Sequence, residues 1–120
     1  MTDQDLDTDA GATPEKKKAA AEMLVLSLLQ HRQRHGYEIA KLIESRSEGV
    51  LDFRVASLYP LLNRLEARGW ITGTWVEKPG ERRRRFYGLT ELGHQALATE
   101  QRRWQAFVRA VAQVTDPTPA

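Results

Sequence analysis

From Val55 to Ile71 the chain reads V-A-S-L-Y-P-L-L-N-R-L-E-A-R-G-W-I, and its apolar residues Val55, Leu58, Leu62 and Leu65, with Leu61 beside them, recur at three- and four-residue intervals. That spacing predicts a helix with one face buried. The positions left over, Arg54, Ser57, Tyr59, Asn63, Arg64, Ala67 and Arg68, carry three guanidiniums and no carboxylate, a donor-rich face suited to the edges of a polyanion. Arg68-Gly69 stops the helix, and Trp70-Ile71 begins a strand. Pro60 removes one backbone hydrogen bond, so the helix either starts near Ser57 or kinks at Pro60.

The flanking patterns build a domain around this helix. Thr13-Pro14-Glu15 is a helix start, with Thr as N-cap and Pro at the first helical position. The first helix runs to about Gln30, and its second half, Met23 to Leu29, is apolar nearly all round, so it needs partners on more than one side. One side serves the core; the other, with Met23 and Leu26, is assigned to a second subunit. His35-Gly36-Tyr37-Glu38 opens a second helix with Glu38 at the N3 capping position, and Ile39, Leu42 and Ile43 face inward. Two short helices joined by a tight connection meet the requirement of a helix-turn-helix.

Trp70 to Glu77 and Arg82 to Leu89 alternate and are rich in aromatic and β-branched residues, and Lys78-Pro79-Gly80-Glu81 between them favours a type II turn. A β-hairpin follows. Four consecutive arginines, Arg82 to Arg85, put two on each face of its second strand; such a run either contacts nucleic acid or guards an exposed edge. Thr90-Glu91 caps a last helix reaching Val114 or Thr115. At about 1.5 Å per residue it spans ~37 Å, longer than the ~26 Å of a compact 100-residue domain, so it overhangs. Leu97, Trp104 and Val111 fall seven apart, with Phe107, Val108 and Val114 completing an apolar seam that implies a second copy of the same helix. The fold expected is mainly α with a small β-hairpin wing: a winged helix-turn-helix plus a long C-terminal dimerisation helix. The chain divides into an acidic disordered tail (1–12), a winged-helix domain (13–89), the dimerisation helix (90–115) and a frayed end (116–120).

Charge sharpens this picture. The net charge of +2 conceals four Asp and no basic residue in positions 1–13, leaving 18 basic against 12 acidic side chains, a net +6, on the remainder. The expected folded part is therefore basic, a moderate footprint for nucleic acid. The 120 residues contain no Cys, which excludes disulfides, Cys-ligated zinc and thiol nucleophiles. No apolar run is long enough to cross a bilayer and the acidic start is unlike a signal peptide, so a soluble cytoplasmic protein is expected. His31, His35 and His94 lack metal-site spacing or a nucleophile partner, and there is no Gly-rich phosphate loop and no H-E-x-x-H; neither an enzyme nor a metal or other cofactor is expected.

His35-Gly36-Tyr37-Glu38, Ser57-Leu58-Tyr59-Pro60 with Leu62 and Arg64-Leu65-Glu66, Gly69, the Arg83-Arg84 to Tyr87 strand and Leu89-Thr90-Glu91-x-Gly93 together resemble the PadR family of bacterial transcriptional regulators over roughly residues 20 to 115. The single C-terminal helix is similar to the short subfamily. The resemblance implies a homodimer held by the C-terminal and first helices, and binding to a palindromic operator. By position it puts Ser57, Asn63 and Arg64, together with Arg54, at the base edges. Tyr37, Lys41, Tyr59, Arg82, Arg83 and Arg84 fall where the family meets phosphates. Trp104 falls where multidrug-binding members stack flat aromatic ligands between subunits, although a Trp on a dimer seam also serves as plain packing. Two departures stand out: Arg54 where many members have a small polar helix cap, and Gly88 where a basic residue is common. The expectation is a DNA-binding repressor; the rival is a protein-interaction module whose basic face meets an acidic protein.

Overall fold

The computed structural model describes residues 14–119; the expected acidic tail and the Thr13 cap lie outside the described residues. The elements in order are α1 (Pro14–Leu28), β1 (Arg34–His35), α2 (Gly36–Arg46), α3 (Val55–Ala67), β2 (Ile71–Val76), β3 (Arg84–Leu89) and α4 (Glu91–Val114). The fold is a winged helix-turn-helix followed by a long C-terminal helix. The apolar stripe of α3 does what its spacing requires: Leu58, Leu61, Leu62 and Leu65 are buried and join Val25, Leu26, Leu28 and Leu29 of the first helical segment, Ile39 and Ile43 of α2, Ile71 and Tyr87 of the sheet, and Leu97 of α4 in one core.

α3 starts at Val55 and continues through Pro60 in its second turn. The carbonyl deprived of its helical partner by Pro60 belongs to Ala56, an exposed residue, a position at which water can replace the missing N–H. Arg54 occupies the N-cap without a side-chain capping bond, so its guanidinium is not committed to the helix end.

The hairpin pairs β2 with β3 from Ile71↔Leu89 to Val76↔Arg84. In its turn the Glu81 N–H donates to the Lys78 carbonyl at 3.0 Å, and Gly80 takes φ +78°, the left-handed backbone that the third position of a type II turn demands. A third strand goes beyond the hairpin that the sequence predicts: β1 pairs Arg34 with Tyr87 and His35 with Phe86, giving the order β1-β3-β2. Two residues are too few to show alternation, so the pattern of polarity does not reveal them.

Thr90 caps α4, accepting the Gly93 N–H at 3.0 Å while donating to the Gly69 carbonyl at 2.6 Å, so the end of α3 and the start of α4 share one hydroxyl. The first turns of α4 pack against α1 and β3, and beyond Phe107 every described residue of α4 is exposed. The molecule is accordingly elongated, 64 × 35 × 24 Å. Two residues expected on a subunit seam are taken by the chain's own core: Leu26 is fully buried and Leu97 nearly so. Both lie in the part of their helix that packs within one chain, so they are not available to a partner.

Candidate nucleic-acid interface

α3 turns its stripe inward and leaves Arg54, Ser57, Tyr59 and Asn63 exposed, with Arg64 half-buried on one flank. α2 meets this face at its N-terminus. His35 is the N-cap of α2, its Nδ1 accepting the Glu38 N–H at 3.2 Å, and Glu38 also receives Arg34 Nη1 at 2.8 Å and Arg32 Nη2 at 3.1 Å. Tyr37, the next residue in the first turn, is exposed with Lys41 Nζ 5.7 Å from its ring centroid. Gly36 lets the two helices close: a Cβ there would press on the Tyr59 ring at 3.1 Å. The H-G-Y-E stretch thus supplies a cap, a close approach, an exposed phenol and an anchor for two arginines.

Across from these helix ends stands the wing, and between them lies a cleft of about 630 Å³. Tyr37, Tyr59, Arg82, Arg83 and Arg84, expected separately at phosphates, all line it together with His35, Val55 and Trp75. No carboxylate is among the lining residues. The Arg83 guanidinium lies 4.3 Å from the Trp75 ring centroid and Arg85 5.6 Å from it, so one aromatic ring orients two of the four arginines. Burial, reinforced by the Arg84 charge, pulls the His35 pKa below 6.5. Burial pushes the Tyr87 phenol up at the back of the same cleft.

Arg85 is bound differently from its neighbours. Its Nη2 donates to Glu66 Oε2 at 2.7 Å, and the same oxygen takes the Gly73 N–H at 3.2 Å. One carboxylate on α3 therefore fastens both strands of the wing to the recognition face, and Arg85 is absorbed in that joint. On the opposite flank a second carboxylate acts in a similar way. There Arg68 Nη1 donates to Glu22 Oε1 at 2.9 Å, while Arg64 Nε stands 4.0 Å from Glu22 Oε2. Arg68 also stacks on Trp70, 4.9 Å from the centroid. The three guanidiniums of α3 are thus unequal, with Arg54 unengaged at its cap, Arg68 anchored and Arg64 partly held. Glu22 and Glu66 escape sequence reasoning because their partners lie 46 and 19 residues away; the one available hint is an acid set in the apolar run of α1.

The seam residues beyond the core divide by depth. Met23 is partly buried and Phe107 half-buried, whereas Trp104, Val108, Val111 and Val114 are exposed. Trp104 and Phe107 face each other with centroids 5.6 Å apart and planes tilted by 35°. Among the described residues no group of three or more His, Cys, Asp or Glu is placed to hold a metal ion, and no helix is long and apolar enough to cross a membrane.

Comparison with known proteins bears on this arrangement. The family described as "Transcriptional regulator PadR-like family" matches residues 25–99. A PadR family transcription regulator from hypervirulent Clostridium difficile is 29% identical, with a TM-score of 0.67 over 78% of this chain and 94% of that one. A transcriptional regulator from Clostridium thermocellum shares the fold at 24% identity, with a TM-score of 0.77 over 87% and 98% of the two chains. Bacillus subtilis PadR, solved in complex with operator DNA, is 24% identical, with a TM-score of 0.60 over 65% of this chain and 44% of that one.

Proposed function

The chain belongs to the PadR-like family of transcriptional regulators, and from that premise we propose that it is a cytoplasmic homodimeric repressor of a palindromic operator. The family makes it a DNA-binding regulator and not an enzyme. The observation that carries the finer reading is the convergence of Tyr37, Tyr59, Arg82, Arg83 and Arg84 on one carboxylate-free cleft, with Lys41 over Tyr37 at its edge. A phosphate backbone running through that cleft lays the exposed face of α3 along a groove, because phosphate contacts set register while side chains at base edges set specificity. Arg54, Ser57, Asn63 and Arg64 then read bases. The likeness in fold to B. subtilis PadR, which is bound to operator DNA, supports this orientation.

The exposed strip of Trp104, Val108, Val111 and Val114 on the overhanging end of α4, with Phe107 and Met23 beside it, pairs with a second copy. Two recognition helices then enter the DNA about one helical turn, roughly 34 Å, apart. A tilted Trp104–Phe107 pair at that junction suits a flat aromatic effector, whose insertion between subunits would release the DNA.

The test is binding of the purified chain to duplexes from the promoters of its own and neighbouring genes, against scrambled duplexes, at low and near-physiological salt. Selective binding that survives the higher salt is expected. Binding that ignores sequence and collapses with salt refutes the reading, since counterion release alone behaves that way, and directs attention to an acidic protein partner.

A further inference from the structure

Glu22 is the buried charged residue among the described side chains, 6% exposed on α1. Its two carboxylate oxygens do different things. Oε1 accepts from Arg68 Nη1 at 2.9 Å, and Arg68 is itself laid over the Trp70 ring, so the carboxylate is fixed in place from one side. Oε2 has no hydrogen-bond donor, and the group nearest to filling that need is Arg64 Nε, 4.0 Å away, equally buried and equally without a hydrogen-bond partner. Buried polar atoms are normally satisfied, so a facing pair that is not calls for a reason. Arg64 belongs to α3, one turn before Arg68, on the flank away from the wing.

We infer that Glu22 is the positioning residue for base reading by Arg64: the carboxylate draws the Nε edge of the guanidinium toward α1 and leaves the end-on pair of Nη groups as the fork that grips a base edge. This rests on the reading of Arg64 as a base contact given above. Bidentate recognition needs an oriented planar fork, and the half-exposed guanidinium end of Arg64 has no other partner among the described residues to orient it. A fixed anion behind Nε supplies one. The unclosed 4.0 Å gap also leaves Arg64 short of a full ion pair, so its charge is not consumed by Glu22 as that of Arg68 is. The proposal therefore gives α1, a helix outside the recognition motif, a part in specificity.

The experiment is a cycle of the wild-type chain, Glu22→Gln, Arg64→Ala and the double variant, with binding measured on the duplex selected in the preceding experiment and on its single-base-pair variants. Arg64→Ala is expected to lose about tenfold in discrimination at one position, the lower part of the range for a bidentate contact. Glu22→Gln is expected to lose discrimination at that same position while its affinity for scrambled duplex holds or rises, because a negative charge has gone from the basic face. The double variant should be no worse than Arg64→Ala. Glu22→Asp, which keeps the charge and draws it back by one methylene, covers the case in which Glu22→Gln does not fold, and should show a partial loss at the same position. Full discrimination in the Glu22 variants, an equal loss at every position, or additive losses in the double variant overturns the proposal while leaving the operator reading intact. Unchanged discrimination in Arg64→Ala overturns the base-reading role of Arg64 and this proposal with it, and absence of any preferred duplex overturns the operator reading first.

Discussion

Acidification should weaken the fold through one side chain, His35. Its Nδ1 lone pair accepts the Glu38 N–H at 3.2 Å and so caps α2, its ring stands edge-on to Phe86 at 5.2 Å, and burial with the nearby Arg84 charge holds its pKa below the ordinary 6.5. A group whose pKa is lower in the folded state binds its proton more readily when unfolded. Its contribution is therefore complete above about 6.5 and is lost as pH falls through the folded value. Protonation also removes the lone pair that makes the cap. A helix cap is worth about 1 kcal/mol, equivalent to roughly 4 °C in melting temperature for a domain near 100 residues. His35→Asn provides the control, since Asn caps as well and does not titrate in this range; it forfeits the Phe86 contact, about 0.5 to 1.5 kcal/mol, at every pH. Thermal unfolding followed by far-ultraviolet circular dichroism at about pH 7.5 and 5.5 should show the wild-type chain more stable than His35→Asn at the higher pH. At the lower pH that advantage should shrink by up to about 1 kcal/mol. Ionisations remote from His35 are common to both proteins and cancel in the comparison. An advantage of the same size at both pH values would refute the argument, because it would mean that His35 keeps its Nδ1 free, or makes no cap, throughout.

Two further expectations follow from the wing and the C-terminal helix. Replacing Arg83 and Arg84 together by Ala should reduce the slope of log affinity against log salt by about 2, one for each phosphate that is no longer neutralised; an unchanged slope in a titration of binding against salt removes the wing from the interface. Val111→Glu puts a charge on the exposed strip of α4, and in sedimentation should raise the dissociation constant of self-association by about a hundredfold or more, the ~3 kcal/mol scale of an unpaired charge at a packed face. Unaltered sedimentation would assign the pairing surface elsewhere.

What is legible in the chain is whatever depends on near neighbours. The three- and four-residue spacing of Leu58, Leu62 and Leu65, the Thr90 cap and the Pro79-Gly80 turn each act within a few residues, and each stands in the structure where the spacing puts it. Pro60 is tolerated against the local rule because the carbonyl it orphans belongs to an exposed residue, Ala56. The seven-residue period of α4 is real, but period alone does not say where a helix leaves its own domain, and Leu97 lies before that point. The cleft is foreshadowed residue by residue without its geometry, since nothing in Tyr37 or Arg83 taken singly says that they face each other. Least legible are the carboxylates: Glu22 and Glu66 owe their importance to arginines that only the folded chain brings near.

The pairing proposed for the overhanging turns of α4 would make gene dosage a variable in how this regulator acts. Trp104 and Val111 are left open to water in a lone chain, and the proposed cover for them is another product of the same gene. While chains are scarce enough to be mostly unpaired, doubling their number raises the paired form roughly fourfold by mass action. Under that pairing, occupancy of an operator would respond more sharply to synthesis and turnover than that of a regulator complete in one chain, and the steepness would reside in the apolar strip of α4 rather than in the residues proposed to contact DNA.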